Sequence, residues 1–141
     1  MTAGSKRFFD TNVLLYLLSA DSARAQRAEE LVAQRGWVSV QVLNEFASVA
    51  SRKLRMPLAE IRECLDPIRS ICAVAPVTVE THTRGLDVAE RFNLSIYDSM
   101  IVAAALLAGC DILYSEDLQD QQRIDDLLVR NPFTPGSRNR G

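Results

Sequence analysis

The stretch from Ser95 to Ala108 (SIYDSMIVAAALLA) carries one charge, Asp98, and is otherwise apolar or small. A helix that is apolar nearly all round cannot lie on a surface, so this segment has to be buried. Its longest apolar run, Met100 to Ala108, is too short to span a bilayer, so the burial must come from the chain's own layers. Gly109 stops the helix, and Asp111-Ile-Leu-Tyr-Ser115 follows as a short strand.

The same alternation runs along the rest of the chain. Phe8-Phe9 reads as the end of a buried strand, and Asp10-Thr11-Asn12 then caps a helix that begins at Val13-Leu-Leu-Tyr-Leu-Leu18. Further helices are expected over Asp21–Gln34, Gln41–Lys53, Pro57–Cys72 and Val79–Phe92. Trp37–Val40 and Ala73–Val77 read as strands, the latter at a sheet edge because of Pro76. A fifth strand is expected near Leu127–Val129. Strands alternating with helices imply a mostly parallel sheet covered on both faces. The expected fold is a three-layer α/β/α domain with four to five strands. It forms a single domain over residues 1–133, with 134–141 a flexible polar tail.

Composition narrows the functions available. The chain has 141 residues, 48% hydrophobic and 24% charged, which suits one globular domain with a real core. A formal net charge of -2 excludes a strongly basic, purely electrostatic nucleic-acid binder. Of the 16 bases 14 are arginine, which pairs with carboxylate or phosphate better than lysine does; the plain reading is solvated helix faces. The single histidine, His82, excludes a two-histidine ribonuclease mechanism within one chain, and reads as a surface residue. Cys64, Cys72 and Cys110 show no CxxC spacing and read as reduced core thiols. With no signal-peptide core in MTAGSKRFFDTN, the expected location is cytoplasmic.

Four acids occupy unusual places. Asp10 directly follows an apolar strand, and Asp117 lies just past the fourth strand. Glu45 sits one turn into its helix at the border of the apolar stripe, and Asp98 opens the most apolar helix. In a parallel sheet, helices return antiparallel to the strands they connect. The starts of the Glu45 and Asp98 helices therefore lie at the same carboxyl rim as Asp10 and Asp117. Bare convergence would be repulsive and would raise their pKa values, and a bound divalent cation removes the conflict. An all-oxygen donor set suits Mg2+ or Mn2+. Such ions activate water and stabilise the leaving oxygen in phosphodiester cleavage. Each acid also has a plain reading: a helix cap for Asp10 and Asp98, a surface acid for Glu45, a turn residue for Asp117. Glu116 competes for the role of Asp117, and Asp120 does so more weakly.

At these residues the sequence resembles the PIN-domain family, in particular the VapC-type toxins of bacterial toxin–antitoxin pairs. The matching stretches are FFDTNVLLYLL (8–18), VLNEFASVASRK (42–53), IYDSMIVAAALLAGCDILYSEDLQ (96–119) and NPF (131–133). The resemblance implies a Mg2+-dependent endoribonuclease, with Mn2+ able to substitute, that forms the toxin of a type II toxin–antitoxin pair. Its acidic metal-binding and catalytic positions fall on Asp10, Glu45, Asp98 and Asp117. Thr11, Asn12, Ser115 and Glu116 fall among the supporting polar positions. The implied partners are an RNA substrate and a cognate antitoxin. A homodimer is expected through apolar faces of the helices Asp21–Gln34 and Pro57–Cys72. Apolar grooves near Leu14–Leu18 and Val42–Val49 could take a helix of the antitoxin. In similar toxins a glycine often follows the S-E-D-L-Q-D stretch, where this chain has Gln121. Three other readings stay open at this point: a PIN-type nuclease of RNA maturation, a catalytically silent PIN-fold binding module, and a magnesium-dependent phosphatase.

Overall fold

The computed structural model describes residues 5–134. The tail expected over 134–141 lies, from residue 135 on, outside the described residues. The sheet has six strands in the order β3-β2-β1-β4-β6-β5. They are β1 (Arg7–Phe9), β2 (Trp37–Ser39), β3 (Ala73–Ala75), β4 (Ile112–Tyr114), β5 (Arg123–Ile124) and β6 (Leu127–Arg130). All neighbouring pairs are parallel except β5 with β6. The expected four to five strands become six because β5, only two residues long, forms a hairpin with β6. So short a strand leaves no period-two pattern to read. β3 lies at the edge, where Pro76 has no ladder bond to break.

Six α-helices and one 3₁₀ turn connect the strands among the described residues: α1 (Thr11–Leu15), the turn Tyr16–Leu18, α2 (Ser22–Ala33), α3 (Val40–Arg52), α4 (Leu58–Ile71), α5 (Val79–Phe92) and α6 (Ile96–Leu107). Successive side chains of a strand point to opposite faces. Phe8 and Phe9 are both fully buried, so both faces of the sheet are covered. Leu113 and Tyr114 of β4 repeat the pattern. This is the three-layer arrangement expected from the alternation of elements. Gly36, just before β2, passes so close to β1 that a Cβ there would stand 2.8 Å from the Arg7 carbonyl oxygen and from the Phe9 ring.

Two expectations need correction. α6 is buried from Ser99 to Ala105, but Ile96 and Tyr97 at its start are exposed. The first turn projects to the rim of the sheet, where no layer lies beyond it. The helices expected to add apolar faces for a homodimer are also largely covered. Among the described residues α2 exposes no large apolar side chain, and α4 exposes only Leu58, with Leu54 just ahead of it. The smaller expectations fare better. His82 is exposed on α5. Burial pushes the Cys72 thiol up to about 11 and the Cys110 thiol up to about 12, consistent with inert core cysteines. Among the described residues no helix is long and apolar enough to cross a membrane.

Gln121, which stands where similar chains often have glycine, has φ of 70°. Its N–H donates to the Val129 carbonyl at 2.8 Å, so the hairpin holds it in this left-handed conformation. A side chain there is strained, and glycine is not. Gln121→Gly is expected to stabilise the protein by about 1 kcal/mol, read as a higher midpoint in urea unfolding. An unchanged or lower midpoint would show that the turn is not the strained element.

Candidate active site

Strand order reverses between β1 and β4, since β2 and β3 lie on one side of β1 and β4, β6 and β5 on the other. The carboxyl ends of the strands flanking such a switch form a natural crevice. Phe9 of β1 is in register with Tyr114 of β4, and the Asp10 N–H donates to the Tyr114 carbonyl at 3.0 Å. Asp10 and Ser115 therefore leave the sheet side by side.

Asp10 is the deepest of the acids, only 3% exposed. It caps α1 by accepting from the Thr11 N–H at 2.7 Å, and it accepts from the Ser115 hydroxyl at 2.7 Å. The plain cap reading of Asp10 is therefore borne out, and capping leaves the carboxyl at the rim. Desolvation pushes its carboxyl up to about 7. The two short hydrogen bonds oppose that rise, and the charges of Asp117 and Asp98 add to it.

Asn12 links Asp10 to the segment after β4. Its Oδ1 accepts from the Glu116 N–H at 3.0 Å, which leaves the amide nitrogen facing the acids. That nitrogen donates to Asp117 at 3.1 Å and to Asp10 at 3.3 Å. The Asp117 N–H in turn donates to the Ser115 hydroxyl oxygen at 3.1 Å. Glu116 points elsewhere. It takes Arg24 from α2 at 2.6 Å and the Tyr16 hydroxyl at 2.7 Å. The structure thus brings Asp117 to Asp10 and ties Glu116 into a separate ion pair. Asp120 also turns away, accepting from the Asn131 N–H at 2.9 Å.

Glu45 reaches the same rim from α3. The Thr11 hydroxyl donates to its Oε1 at 2.7 Å, and the Gln41 amide donates to its Oε2 at 3.1 Å. Asp98 comes from the first turn of α6, whose cap is Ser95. Its carboxyl is shifted upward by desolvation first, and then by the charges of Asp117 and Glu45. Asp10 and Asp98 therefore both sense the charge of Asp117. Among the described residues no ion pair reaches Asp10, Glu45, Asp98 or Asp117. Nor do any three His, Cys, Asp or Glu side chains stand close enough to form a finished metal cage. An anionic, all-oxygen set without a neutralising base still fits a hard cation. Mg2+ keeps most of its waters and needs few direct carboxylate contacts.

Two residues of this site were not apparent from sequence. Gln41 donates to Glu45 and also to the Tyr97 carbonyl at 2.9 Å, which ties α3 to the first turn of α6. Arg52 lines the same cleft as Thr11, Asn12, Glu45 and Asp117. Its Nε donates to the Ser48 hydroxyl at 3.1 Å, leaving the rest of the guanidinium for a ligand. The signal was present in the spacing. Gln41, Glu45, Ser48 and Arg52 follow one another at helical intervals and form one polar stripe along α3.

The PIN domain family matches residues 7–127, so the chain belongs to it. Solved structures with the same fold include a toxin-antitoxin complex from Klebsiella pneumoniae, at 20% identity and a TM-score of 0.68, with 91% of this chain and 98% of that one covered. VapC20 of Mycobacterium tuberculosis, named as a sarcin-ricin loop cleaving toxin, matches at 22% identity and a TM-score of 0.65, covering 79% of this chain and 90% of its own. DNA-bound VapBC from Salmonella typhimurium matches at 16% identity and a TM-score of 0.68, covering 91% and 98%. No curated protein matches the sequence.

The raised Asp10 carboxyl has a consequence for stability. The metal-free folded protein holds a proton there up to about pH 7, whereas the unfolded chain loses it near 3.8. Between those values the folded state binds more protons, so stability falls as pH rises, on the order of 4 kcal/mol in all. Asp10→Asn is expected to flatten this dependence and, in the presence of chelator at pH 8, to melt at or above the wild-type Tm. A variant that melts well below wild type under those conditions would mark Asp10 as chiefly a structural hub.

Proposed function

We propose that the chain is a Mg2+-dependent endoribonuclease and acts as the toxin of a type II toxin–antitoxin pair. The observation that carries this reading is the set of acids at the strand-order switch, unneutralised by any base, in a chain of the PIN family. The solved relatives, named as toxin-antitoxin proteins, support the biological setting.

Asp10, Asp98 and Asp117 are the groups that would hold Mg2+, or Mn2+ in its place, with Glu45 completing the anionic rim. The cation would supply a nucleophile drawn from water and offset charge on the scissile phosphate. The rest is done by the chain. Asn12 orients the Asp117 carboxylate, and Thr11 and Gln41 orient Glu45. Ser115 holds Asp10 in one rotamer. Arg52 offers a fork for a phosphate oxygen on the open side of the cleft.

The partner reading rests on a second surface. Leu15, Tyr16, Leu18, Val49 and Leu54 line an apolar groove that opens beside Asn12 and Glu116. A helix of the cognate antitoxin would fill it with apolar side chains and send an arginine or lysine to the carboxylates. The reading also includes a cytoplasmic two-fold homodimer. Of the large apolar side chains in the helices first assigned to it, Leu58 is the exposed one among the described residues.

Cleavage of single-stranded RNA by metal-stripped protein tests the proposal directly. Activity is expected to return with Mg2+ or Mn2+ and to vanish with excess chelator. Asp117→Asn is expected to lose at least about 100-fold in kcat, the usual scale for removing a group that acts in the transition state. Glu116→Gln should keep much of the activity, since Glu116 faces Arg24 rather than the cleft. Arg52→Ala should raise KM more than it lowers kcat. Expression of the chain alone should arrest growth, and a small protein encoded next to it should relieve the arrest. Undiminished cleavage in chelator would falsify the metal reading. A harmless wild-type chain that still cleaves RNA would point to RNA maturation instead.

A further inference from the structure

The acidic cleft does not end at Glu45. A second cleft, bounded by Val40, Gln41, Asn44, Val77 and Tyr97, shares Glu45 and Ser48 with it as common walls. The two are therefore neighbouring compartments along α3. They differ in chemistry. The first holds acids and Arg52. Apart from the shared Glu45, the second has, among the described residues, no charged wall, only apolar surface, the amides of Gln41 and Asn44, and the Ser48 hydroxyl.

Tyr97 closes this second compartment. It is 71% exposed although it opens the most apolar helix of the chain. Its backbone is not loose. The Gln41 amide nitrogen donates at once to the Tyr97 carbonyl at 2.9 Å and to Glu45 Oε2 at 3.1 Å. One amide thus sets the position of Tyr97 relative to the carboxylate it adjoins.

Among the described residues a phosphate has no cation to meet in this compartment, and an acidic peptide has none either. A flat, neutral ligand with hydrogen-bonding edges meets an aromatic face, amides and a hydroxyl. We propose that it is a nucleobase subsite. An unpaired base of the bound strand stacks on Tyr97, with Asn44 and Ser48 within reach of its edge, while the adjoining phosphate lies across Glu45 toward Arg52. Sequence-tolerant stacking with some edge reading is the common way single-stranded RNA is held. This inference rests on the ribonuclease reading and adds a selectivity-determining residue to it.

The test is binding, so that it stands apart from cleavage. A fluorescent single-stranded RNA of mixed sequence and an abasic strand of the same length are titrated, in chelator, against wild type, Tyr97→Ala and Tyr97→Phe. Wild type and Tyr97→Phe are expected to prefer the base-bearing strand by about ten-fold or more, and Tyr97→Ala to lose most of that preference. Binding of the abasic strand should not change between the three proteins. A preference unchanged within about two-fold in Tyr97→Ala overturns the inference. So does a shift of that variant to a smaller assembly in sedimentation, which would assign Tyr97 to a contact between copies. A wild-type protein that binds with base preference but cleaves no RNA would count against the nuclease reading and leave the subsite standing.

Discussion

The architecture of the site follows from placing one carboxylate, Asp10, where water is nearly absent. A buried anion is costly unless it is hydrogen-bonded or paired. Asp10 has the first and, among the described residues, lacks the second: a backbone N–H and a serine hydroxyl hold it, and no base there pairs with it. Those partners lie just past the carboxyl ends of the two strands on either side of the topological switch. Pairing β1 with β4 is what brings Ser115 to Asp10, and the Asp10–Tyr114 bond fixes the approach. The residual strain shows in the raised carboxyl, and a bound cation is the natural way to relieve it.

A second network decides which acid joins Asp10. Arg24 lies over the rings of Tyr16 and Phe133 and pairs with Glu116, while Tyr16 itself donates to Glu116. With Glu116 held there, its N–H donates to the Asn12 side-chain Oδ1, and the Asn12 amide nitrogen turns toward Asp117. The chain therefore uses one member of the Glu116–Asp117 pair as an anchor and frees the other for the cleft. The anchor also borders the apolar groove by way of Tyr16 and Glu116. Whatever fills that groove touches residues that orient Asn12.

Much of this was legible in the residues. Helices with a clear apolar stripe, such as α3 and α5, fall within a residue or so of where periodicity puts them, and Pro76 correctly marks an edge. The rim location of the acids follows from parallel connectivity alone. What stayed hidden has physical reasons. β5 is too short to carry a pattern. Glu116 and Asp117 have the same relation to β4, and only the packing of α2, through Arg24, separates them. The exposed first turn of α6 was masked because composition averages over a helix, whereas burial depends on where the neighbouring layer ends. Gln121 shows the converse. Its departure from glycine leaves the turn in the left-handed conformation, so the loop shape survives the substitution at the expense of local strain.

On the ribonuclease reading net charge matters, since a chain at -2 would have to attract a polyanion to an acidic cleft. Long-range attraction is weak for such a chain, and few phosphates can be met by fixed bases. Arg52, about two turns beyond Glu45 on the same stripe, would supply one. The balance has to come from contacts that do not depend on charge, and from the cation itself. On the proposed reading Tyr97, across the second cleft from Glu45, would provide the first, and the carboxylates, by holding the cation, the second. On that reading α3 would serve as a ruler. Gln41 registers the aromatic wall, Glu45 marks the boundary between compartments, and Ser48 and Arg52 lead to the phosphate side. A single helix face thereby sets the spacing between where a base would rest and where a strand would be cut.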